Sequence, residues 1–290
     1  MPTAGLRELA ARYDVLLCDL WGVIHNGREV FGPAVDALRR FRAGGGTVVL
    51  ITNAPRPRGP VLEQLAGLGV PGDAFDALVT SGDVTMGAIA ARGGPICHIG
   101  PERDLALFEA VREATGVAVT LTPLAEADVL VVTGLFDDRS ETPADYAGLL
   151  AAARARDLEL VCANPDIVVH VGDRMIYCAG ALAQAYEALG GRTLLAGKPH
   201  APIYEAALAL AARQRGGPPD RRRVLAVGDA LVTDGAGAGR EGIDFMLVTG
   251  GIHREDFHPD PDAPWDGARY ADRVAAEAHP PVAALRHLAW

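Results

Sequence analysis

The fold is decided by the stretch Val15-Leu16-Leu17-Cys18-Asp19-Leu20-Trp21-Gly22, an apolar run that ends in a carboxylate and is soon followed by a glycine. Residues 15–18 show no alternation of polar and apolar side chains, which is typical of a strand covered on both faces, as in a parallel sheet. Ligands of open α/β sheets bind outside the carboxyl ends of the strands. The stretch therefore predicts a central strand that places Asp19 where chemistry takes place, although Asp19 alone is equally consistent with a simple turn.

Three further apolar runs end in the same way. They are residues 47–51 before Thr52-Asn53, residues 224–227 before Gly228-Asp229, and residues 245–248 before Thr249-Gly250. Parallel strands place their carboxyl ends on one edge of a sheet. We therefore expect four polar side chains to gather on that edge: Asp19, Thr52, Asp229 and Asp234.

Length and composition restrict the class of protein. The 290 residues are 49% hydrophobic and carry a net charge of −10. A chain of this size can bury one large core or two smaller ones, and its acidic balance argues against nucleic acid or an anionic membrane as a partner. Neither a signal peptide nor a membrane-spanning run of about 20 apolar residues is recognisable. We expect a cytoplasmic protein, and a homodimer is compatible with the sequence.

Cysteine and lysine usage add two details. The four cysteines, Cys18, Cys97, Cys162 and Cys178, lack C-x-x-C spacing, which favours buried free thiols over disulfides or a zinc site. Lys198 is the only lysine among 27 basic residues. A position that keeps lysine in an arginine-rich chain indicates a need for a compact ammonium group, unless this single lysine has survived by chance.

Strand and helix patterns alternate in the first part of the chain, which is the signature of a doubly wound α/β sheet. Helices are predicted over residues 33–43, 60–68 and 81–91, the last with Ser81 as N-cap. Around residues 92–95 the chain leaves this pattern, and it resumes with a helix over 201–213. We therefore predict a discontinuous core of residues 1–80 and 193–290, interrupted by an inserted α/β domain of residues 81–192.

The remaining elements are predicted from shorter signals. Within the insertion, strands are expected at 96–99, 129–132 and 158–162, a helix begins at Thr142-Pro143, and a hairpin turns at Gly172-Asp173. A helix over 180–189 and Gly190-Gly191 close the insertion. Residues 253–264, rich in Pro, Asp and His, are expected to form a surface loop, and residues 282–288 are expected to form the last helix.

Three carboxylates on one edge predict a metal site. Asp19, Asp229 and Asp234 offer hard oxygen ligands, which suits Mg²⁺ held by carboxylates, water and a substrate phosphate. Without a cation these groups would repel one another, and some would have to stay protonated. If phosphate binds beside the metal, Thr52 and Lys198 can stabilise its oxygens, and Asp19 is the natural nucleophile for an aspartyl-phosphate intermediate.

Four ordered motifs resemble those of the haloacid dehalogenase superfamily. They are Asp19-x-Trp21-Gly22, Thr52-Asn53, Gly197-Lys198-Pro199 and Gly228-Asp229-x-x-x-Thr233-Asp234. Asn164-Pro165-Asp166, followed by Ala179-Gly180-Ala181, together with an insertion between the second and third motifs, is similar to the class IIA subfamily, whose members carry a large α/β cap. The resemblance covers nearly the whole chain.

The resemblance implies a Rossmann-like core, Mg²⁺ and the hydrolysis of small phosphorylated metabolites. It gives Asp19 the nucleophile position, Thr52 and Lys198 the phosphate-stabilising positions, and Asp229 and Asp234 the metal positions. The carbonyl of Trp21 would be a further metal ligand. Asn53, Asn164 and Asp166 are candidates for contacting substrate, and an ordinary turn explains residues 164–166 equally well.

One departure from the superfamily pattern bears on the activity. Phosphatases of the superfamily usually carry a second aspartate two residues after the nucleophile as general acid and base, and this chain has Trp21 there. Indole cannot shuttle a proton, and general acid–base catalysis contributes about 10²–10⁴-fold to the rate. We therefore expect slow turnover or activated substrates, unless His25, whose imidazole titrates near neutral pH, substitutes for the aspartate. The alternative is that His25 is a loop histidine with no catalytic role.

Other functions agree less well with the sequence. Relatives without the second aspartate act on C–Cl or C–P bonds, but dehalogenation needs no Mg²⁺, and C–P cleavage uses a cap lysine that the insertion lacks. Residues 237–242 match the dinucleotide fingerprint G-x-G-x-x-G, but they do not directly follow a strand. The stronger alternative is a catalytically impaired module that binds a phosphorylated ligand as a sensor or partner.

Overall fold

In the computed structural model, which describes residues 3–171, 174–260 and 265–290, the four apolar runs singled out in the sequence form strands. The strands are β1 (Val15–Asp19), β2 (Thr47–Thr52), β3 (Ala77–Thr80), β4 (Pro95–Ile99), β5 (Thr120–Leu121), β6 (Val129–Val132), β7 (Glu159–Cys162), β8 (Val168–Val171), β9 (Arg174–Tyr177), β10 (Arg192–Leu195), β11 (Val224–Gly228), β12 (Asp244–Val248) and β13 (Ala283–Leu285). The helices are α1 (Arg7–Ala10), α2 (Gly32–Ala43), α3 (Arg58–Leu68), α4 (Ser81–Arg92), α5 (Ala106–Thr115), α6 (Ala147–Ala155), α7 (Ala179–Ala188), α8 (Ala201–Arg215), α9 (Ala236–Arg240), α10 (Arg254–Phe257) and α11 (Gly267–Val274).

The described chain divides into two compact units. One comprises Met1–Thr52, Glu63–Val79 and Tyr204–Trp290, and the other comprises Asn53–Leu62 and Thr80–Ile203. Each unit contains a sheet of its own. Among the described residues, no helix combines the length and hydrophobicity that crossing a bilayer requires.

The first unit is built on a six-stranded sheet in the order β13-β12-β11-β1-β2-β3. The central strand β1 is buried along its whole length and pairs in parallel with both β11 and β2. β12 pairs in parallel with β11 and with β13. The α/β class with a Rossmann-like parallel sheet, predicted from the continuous apolar runs, is thereby confirmed.

The second unit is built on a five-stranded sheet in the order β10-β7-β6-β4-β5, with parallel pairing throughout. Alternate residues of its strands belong to two different hydrophobic clusters. Leu130 and Val132 of β6 pack with side chains of α6 and α7, while Val129 and Val131 pack with side chains of α4 and α5. Because neighbouring side chains of a strand point to opposite faces, helices cover this sheet on both sides.

A two-stranded antiparallel ribbon, β8 with β9, completes the second unit. Val168 is paired with Tyr177 and Val171 with Arg174. The turn predicted at Gly172-Asp173 lies outside the described residues.

The structure corrects several sequence predictions in detail. The helix expected over residues 282–288 is wrong, because Ala283–Leu285 form β13 and continue the sheet beside β12. Part of the loop expected over 253–264 is the helix Arg254–Phe257, and residues 261–264 lie outside the described residues. The elements that were not predicted include the strand Arg192–Leu195 and the helix Gly267–Val274.

The N-cap of α4 is Thr80 rather than Ser81. Thr80 Oγ1 accepts a hydrogen bond from Asp83 N–H at 2.9 Å, and Asp83 Oδ2 accepts one from Thr80 N–H at 3.2 Å. This reciprocal pair is a capping box, which satisfies two backbone donors at once. The same arrangement recurs in part at the predicted helix start near residue 142, where Thr142 N–H donates to Asp145 Oδ2.

All four cysteines are buried free thiols, as their spacing predicted. Burial raises the pKa of the Cys162 thiol to about 12 and also raises the pKa values of the Cys97 and Cys178 thiols. A buried thiol that stays protonated is a poor nucleophile. These cysteines therefore act as small core residues.

Candidate active site

The carboxyl edge of the six-stranded sheet begins at the end of β1. Asp19 is paired with Ile51, one residue before Thr52 ends β2. On the other side, Cys18 is paired with Val227, near the end of β11. The register therefore places Asp19 between the end of β2 and the turn that follows β11, and both Asp19 and Thr52 are buried.

Three aspartates form a compact buried cluster on this edge. Asp19, Asp229 and Asp234 each offer one carboxylate oxygen, and these oxygens lie within 4.8 Å of one another. The residues are only 5%, 7% and 3% exposed, respectively. Three carboxylates at such distances repel one another strongly when ionised. A set of hard oxygen ligands with little access to water fits a divalent cation such as Mg²⁺.

Two glycines fix the position of the Asp229 carboxylate. A Cβ built on Gly22 or on Gly251 would lie 2.0 Å from Asp229 Oδ2, so no other residue fits at either position without displacement. Ile252 N–H donates a hydrogen bond to the same oxygen at 2.7 Å. Gly22 has φ +78°, a backbone conformation that also favours glycine. Asp229 is therefore held by backbone on two sides.

Asp234 is fixed by the turn that follows β11. A Cβ built on Gly228 would lie 2.1 Å from Asp234 Cγ, and Ala230 N–H donates to Asp234 Oδ2 at 3.1 Å. Gly235 N–H reaches the Ala230 carbonyl at 3.1 Å, an i to i+5 bond of a π-helical turn over Leu231–Gly235. Single π-helical turns are frequent at functional sites.

The loop after β12 supports this turn, a role that was not predicted from the sequence. His253, the residue after Ile252, accepts a hydrogen bond from Leu231 N–H at its Nε2 atom, with a distance of 3.4 Å. The Nδ1 atom of His253 lies 3.1 Å from Asp256 Oδ2. The available signal was the pair Gly250-Gly251, which follows the fourth apolar run after Thr249. Paired glycines beside a predicted carboxylate cluster indicate close approach of backbone.

Trp21 and His25 pack against each other in the loop after β1. Their rings meet edge to face with centroids 5.1 Å apart. A Cβ built on Gly27 would lie 2.6 Å from Trp21 Cη2, so the indole lies directly on that glycine. Gly27 N–H donates to His25 Nδ1 at 3.0 Å. The loop is thus built around these two rings.

The imidazole of His25 is neutral at pH 7. Its side chain is buried, and burial lowers its pKa to about 4. Nδ1 accepts the Gly27 hydrogen bond and therefore carries no proton. At neutral pH only about one ring in 10³ would be protonated, so the ring is poorly suited to protonate a leaving group.

The remaining predicted site residues lie in the second compact unit. Asn53, Asn164 and Lys198 are buried, and Asp166 is half-buried. The side chain of Asn53 hydrogen-bonds to Asp166 and to the backbone of Lys198. Asn164 Oδ1 accepts a hydrogen bond from Asp166 N–H at 3.1 Å. These four residues form one hydrogen-bonded chain.

Comparisons with known proteins agree with this geometry. A family model described as haloacid dehalogenase-like hydrolase matches residues 16–112, and a second model, described as HAD-hydrolase-like, matches residues 195–276. D-glycerol 3-phosphate phosphatase of Mycobacterium tuberculosis is 31% identical over 276 residues, which cover 93% of this chain and 69% of that protein. The chain belongs to the haloacid dehalogenase-like hydrolase family.

Solved structures extend the similarity over the whole fold. A haloacid dehalogenase-like hydrolase from Brucella suis is 47% identical with a TM-score of 0.86, and the match covers 99% of each chain. A possible sugar phosphatase from Cytophaga hutchinsonii shares the fold with a TM-score of 0.78 at 19% identity, covering 99% of this chain and 98% of its own. The membership that the four motifs predicted is confirmed.

The glycine-rich segment 237–242 has a structural explanation. A Cβ built on Gly237 would lie 2.3 Å from the Tyr204 hydroxyl, and one built on Gly239 would lie 2.2 Å from the His279 ring. These glycines permit close packing of the short helix α9 against side chains of the same unit. The match to the dinucleotide fingerprint is therefore explained by packing.

Proposed function

We propose that the protein is a Mg²⁺-dependent phosphatase that hydrolyses small phosphorylated metabolites through an aspartyl-phosphate formed on Asp19. The observation that carries the proposal is the cluster of three buried carboxylates at the carboxyl edge of the sheet, contributed by Asp19, Asp229 and Asp234. The phosphatase named among the relatives supports the same class of substrate.

The residues around the carboxylate cluster would hold the metal. Asp229, Asp234, one oxygen of Asp19 and the Trp21 carbonyl would hold Mg²⁺. When bound, the ion would neutralise charge on the carboxylates and on the phosphoryl group. Asp229 Oδ2 already accepts the Ile252 N–H. Its other oxygen, Oδ1, is therefore the better candidate for the ligand.

Asp19 acts as the nucleophile. One carboxylate oxygen forms a bond to phosphorus while the bond from phosphorus to the leaving oxygen breaks, and the electron pair stays on the leaving oxygen. Water then attacks the aspartyl-phosphate at phosphorus, which releases inorganic phosphate and restores Asp19. We propose that the Thr52 hydroxyl and the Lys198 ammonium stabilise the oxygens of the transferred group.

Proton transfer to the leaving group is the weak step of this mechanism. Trp21 cannot supply a proton, and His25 is neutral at pH 7 because its pKa is about 4. We therefore propose that His25 orients the Trp21 loop instead of acting as an acid. Turnover is expected to be fastest with substrates whose leaving group is a weak base, such as acyl or aryl phosphates.

We further propose that residues 81–192 act as a cap that selects the substrate, with residues 1–80 and 193–290 as the catalytic core. Four strands of the five-stranded sheet and the antiparallel ribbon support this division, since β4 to β9 all belong to the inserted segment and only β10 (Arg192–Leu195) extends beyond it. A chimera that exchanges this segment with that of a related phosphatase is expected to exchange the substrate preference while keeping the dependence on Asp19.

The function is tested by phosphate release from a panel of phosphorylated metabolites, with and without Mg²⁺. We expect release that requires the metal and falls at least about 10³-fold in Asp19→Asn. Binding without turnover is the competing function. Ligand-dependent thermal stabilisation without phosphate release from any panel member would favour it and refute the proposal.

A further inference from the structure

One side chain holds both backbone groups of the single lysine. Asn53 Oδ1 accepts a hydrogen bond from Lys198 N–H at 2.7 Å, and Asn53 Nδ2 donates to the Lys198 carbonyl at 3.1 Å. The two residues are 145 positions apart in the sequence, and each is 3% exposed. Asn53 therefore fixes the main chain from which the Lys198 side chain extends.

The same amide is anchored at its other side. Asn53 Nδ2 also donates to Asp166 Oδ1 at 2.8 Å, which uses the second of its two amide hydrogens. Asp166 N–H in turn donates to Asn164 Oδ1 at 3.1 Å. A hydrogen bond to an ionised carboxylate is stronger than one between neutral groups. Asp166 therefore sets the orientation of the Asn53 amide.

Close packing leaves this arrangement little freedom. A Cβ built on Gly197 would lie 2.3 Å from Asn53 Oδ1 and 2.8 Å from Pro165 Cδ. A Cβ built on Gly180 would lie 2.1 Å from the Pro165 carbonyl oxygen, and Gly180 N–H bonds to the Asp166 carbonyl. Two of the motifs quoted from the sequence, residues 164–166 and 179–181, thus serve to seat Asn53.

We infer that Asn53 and Asp166 are positioning residues for Lys198 and not groups that bind substrate. The inference rests on the proposed function, in which the Lys198 ammonium stabilises the transferred phosphoryl group. Lysine carries its charge on a flexible four-carbon stem. The position of the Lys198 ammonium group therefore depends on how firmly the Lys198 backbone is held.

A double-mutant cycle tests the inference. Asn53→Ala and Lys198→Ala are measured singly and together on p-nitrophenyl phosphate with saturating Mg²⁺. Displacing a charge by about 1 Å can cost 10²-fold in rate, so we expect Asn53→Ala to lower kcat about 10²-fold with KM nearly unchanged. Once Lys198 is gone its position no longer matters, so the double variant should be no slower than Lys198→Ala alone.

Matched variants separate positioning from general damage. Ser81→Ala removes another buried polar group close to Asn53. The Oγ atom of Ser81 has no hydrogen-bond partner among the described residues, so this variant should leave kcat unchanged. Asp166→Asn keeps an acceptor for Asn53 and should retain most activity, while Asp166→Ala should lose it. If Asn53→Ala does not fold, the same cycle is measured with Asp166→Asn and Asp166→Ala, each combined with Lys198→Ala.

The outcomes are distinct. The inference would be overturned if the losses of kcat in Asn53→Ala and Lys198→Ala multiplied in the double variant. A rise in KM at constant kcat in Asn53→Ala would also overturn it, because that result would show direct substrate binding. Either result leaves the proposed function intact if turnover still requires Mg²⁺ and Asp19. Absence of Mg²⁺-dependent turnover in the wild-type protein would overturn the proposed function, and the inference with it.

Discussion

Replacing Gly251 with alanine places a methyl group against the Asp229 carboxylate. The added Cβ would lie 2.0 Å from Asp229 Oδ2, whereas ordinary van der Waals contact begins at 3.4 Å. The carboxylate and the loop must therefore separate by about 1.4 Å. The hydrogen bond from Ile252 N–H to the same oxygen, now 2.7 Å long, is expected to break. Gly22 also lies against this oxygen, since a Cβ built on it would be 2.0 Å from Asp229 Oδ2, so the carboxylate has little room to move.

Loss of such a support typically lowers metal affinity about 10–100-fold, or about 1.4–2.8 kcal/mol. Calorimetric titration with Mg²⁺ measures this directly, and the Mg²⁺ concentration that gives half-maximal phosphate release should rise by the same factor. Gly67→Ala is the matched control, because a Cβ there meets nothing within 4 Å. A folded Gly251→Ala protein with unchanged Mg²⁺ affinity would refute the assignment of Asp229 as a metal ligand.

Three further predictions follow from the same contacts. His25 has a folded-state pKa of about 4 against 6.5 unfolded, so its contribution is complete above pH 6.5 and is lost as the pH falls towards 4. This amounts to about 2 kcal/mol between pH 7 and pH 5. His25→Asn keeps an acceptor for Gly27 N–H. In urea titrations at pH 7 and pH 5, the free energy of unfolding should fall by about 2 kcal/mol less in this variant than in the wild-type protein. An equal fall in the two proteins would contradict the prediction. Thr80→Ala removes the cap of α4 and should lower the free energy of unfolding by about 1–2 kcal/mol, while Thr80→Ser should restore most of it; equal unfolding midpoints for all three proteins would count against the capping role. Trp21 cannot supply a proton, and the lowered pKa leaves His25 mostly neutral at pH 7. We therefore expect kcat for p-nitrophenyl phosphate to exceed kcat for an alkyl phosphate by about 10²-fold or more, and similar values would show that an acid takes part.

The parallel sheet and its polar edge were predictable from the sequence because both depend on local patterns. Runs of apolar residues without alternation identify buried parallel strands. A polar residue or a glycine at the end of each run then marks the same edge. Asp19, Asp229 and Asp234 can be grouped by this pattern alone, and their carboxylates do lie together.

The terminal strand β13 was mistaken for a helix because its stability comes from a neighbour. The short apolar run around residues 282–288 fits either element, and only a longer run would have decided between them. Val282 N–H bonds to the Phe245 carbonyl, and Thr249 N–H bonds to the Leu285 carbonyl. These partners are more than 30 positions away, so no local pattern could reveal them.

The roles of individual polar residues were also beyond local patterns. Asn53 and Asp166 were expected to contact substrate, since polar residues near a predicted site usually suggest binding. The structure shows in addition that their amide and carboxylate groups are hydrogen-bonded to each other across 113 positions, a contact that no local pattern indicates. The pKa of His25 depends likewise on burial, which the loop sequence does not disclose. Glycines provided the best local signal, because Gly22, Gly197 and Gly251 all mark places where other groups approach the backbone closely.

The central claim is that Asp19 receives the phosphoryl group with the help of a divalent cation held by neighbouring acids. Acid quenching during turnover, followed by mass spectrometry of the peptide that contains residues 15–22, tests it most directly. The account predicts a phosphoryl adduct on Asp19 that forms with Mg²⁺ and is absent both without the metal and in Asp234→Asn. Steady turnover with the adduct on a different residue would contradict it.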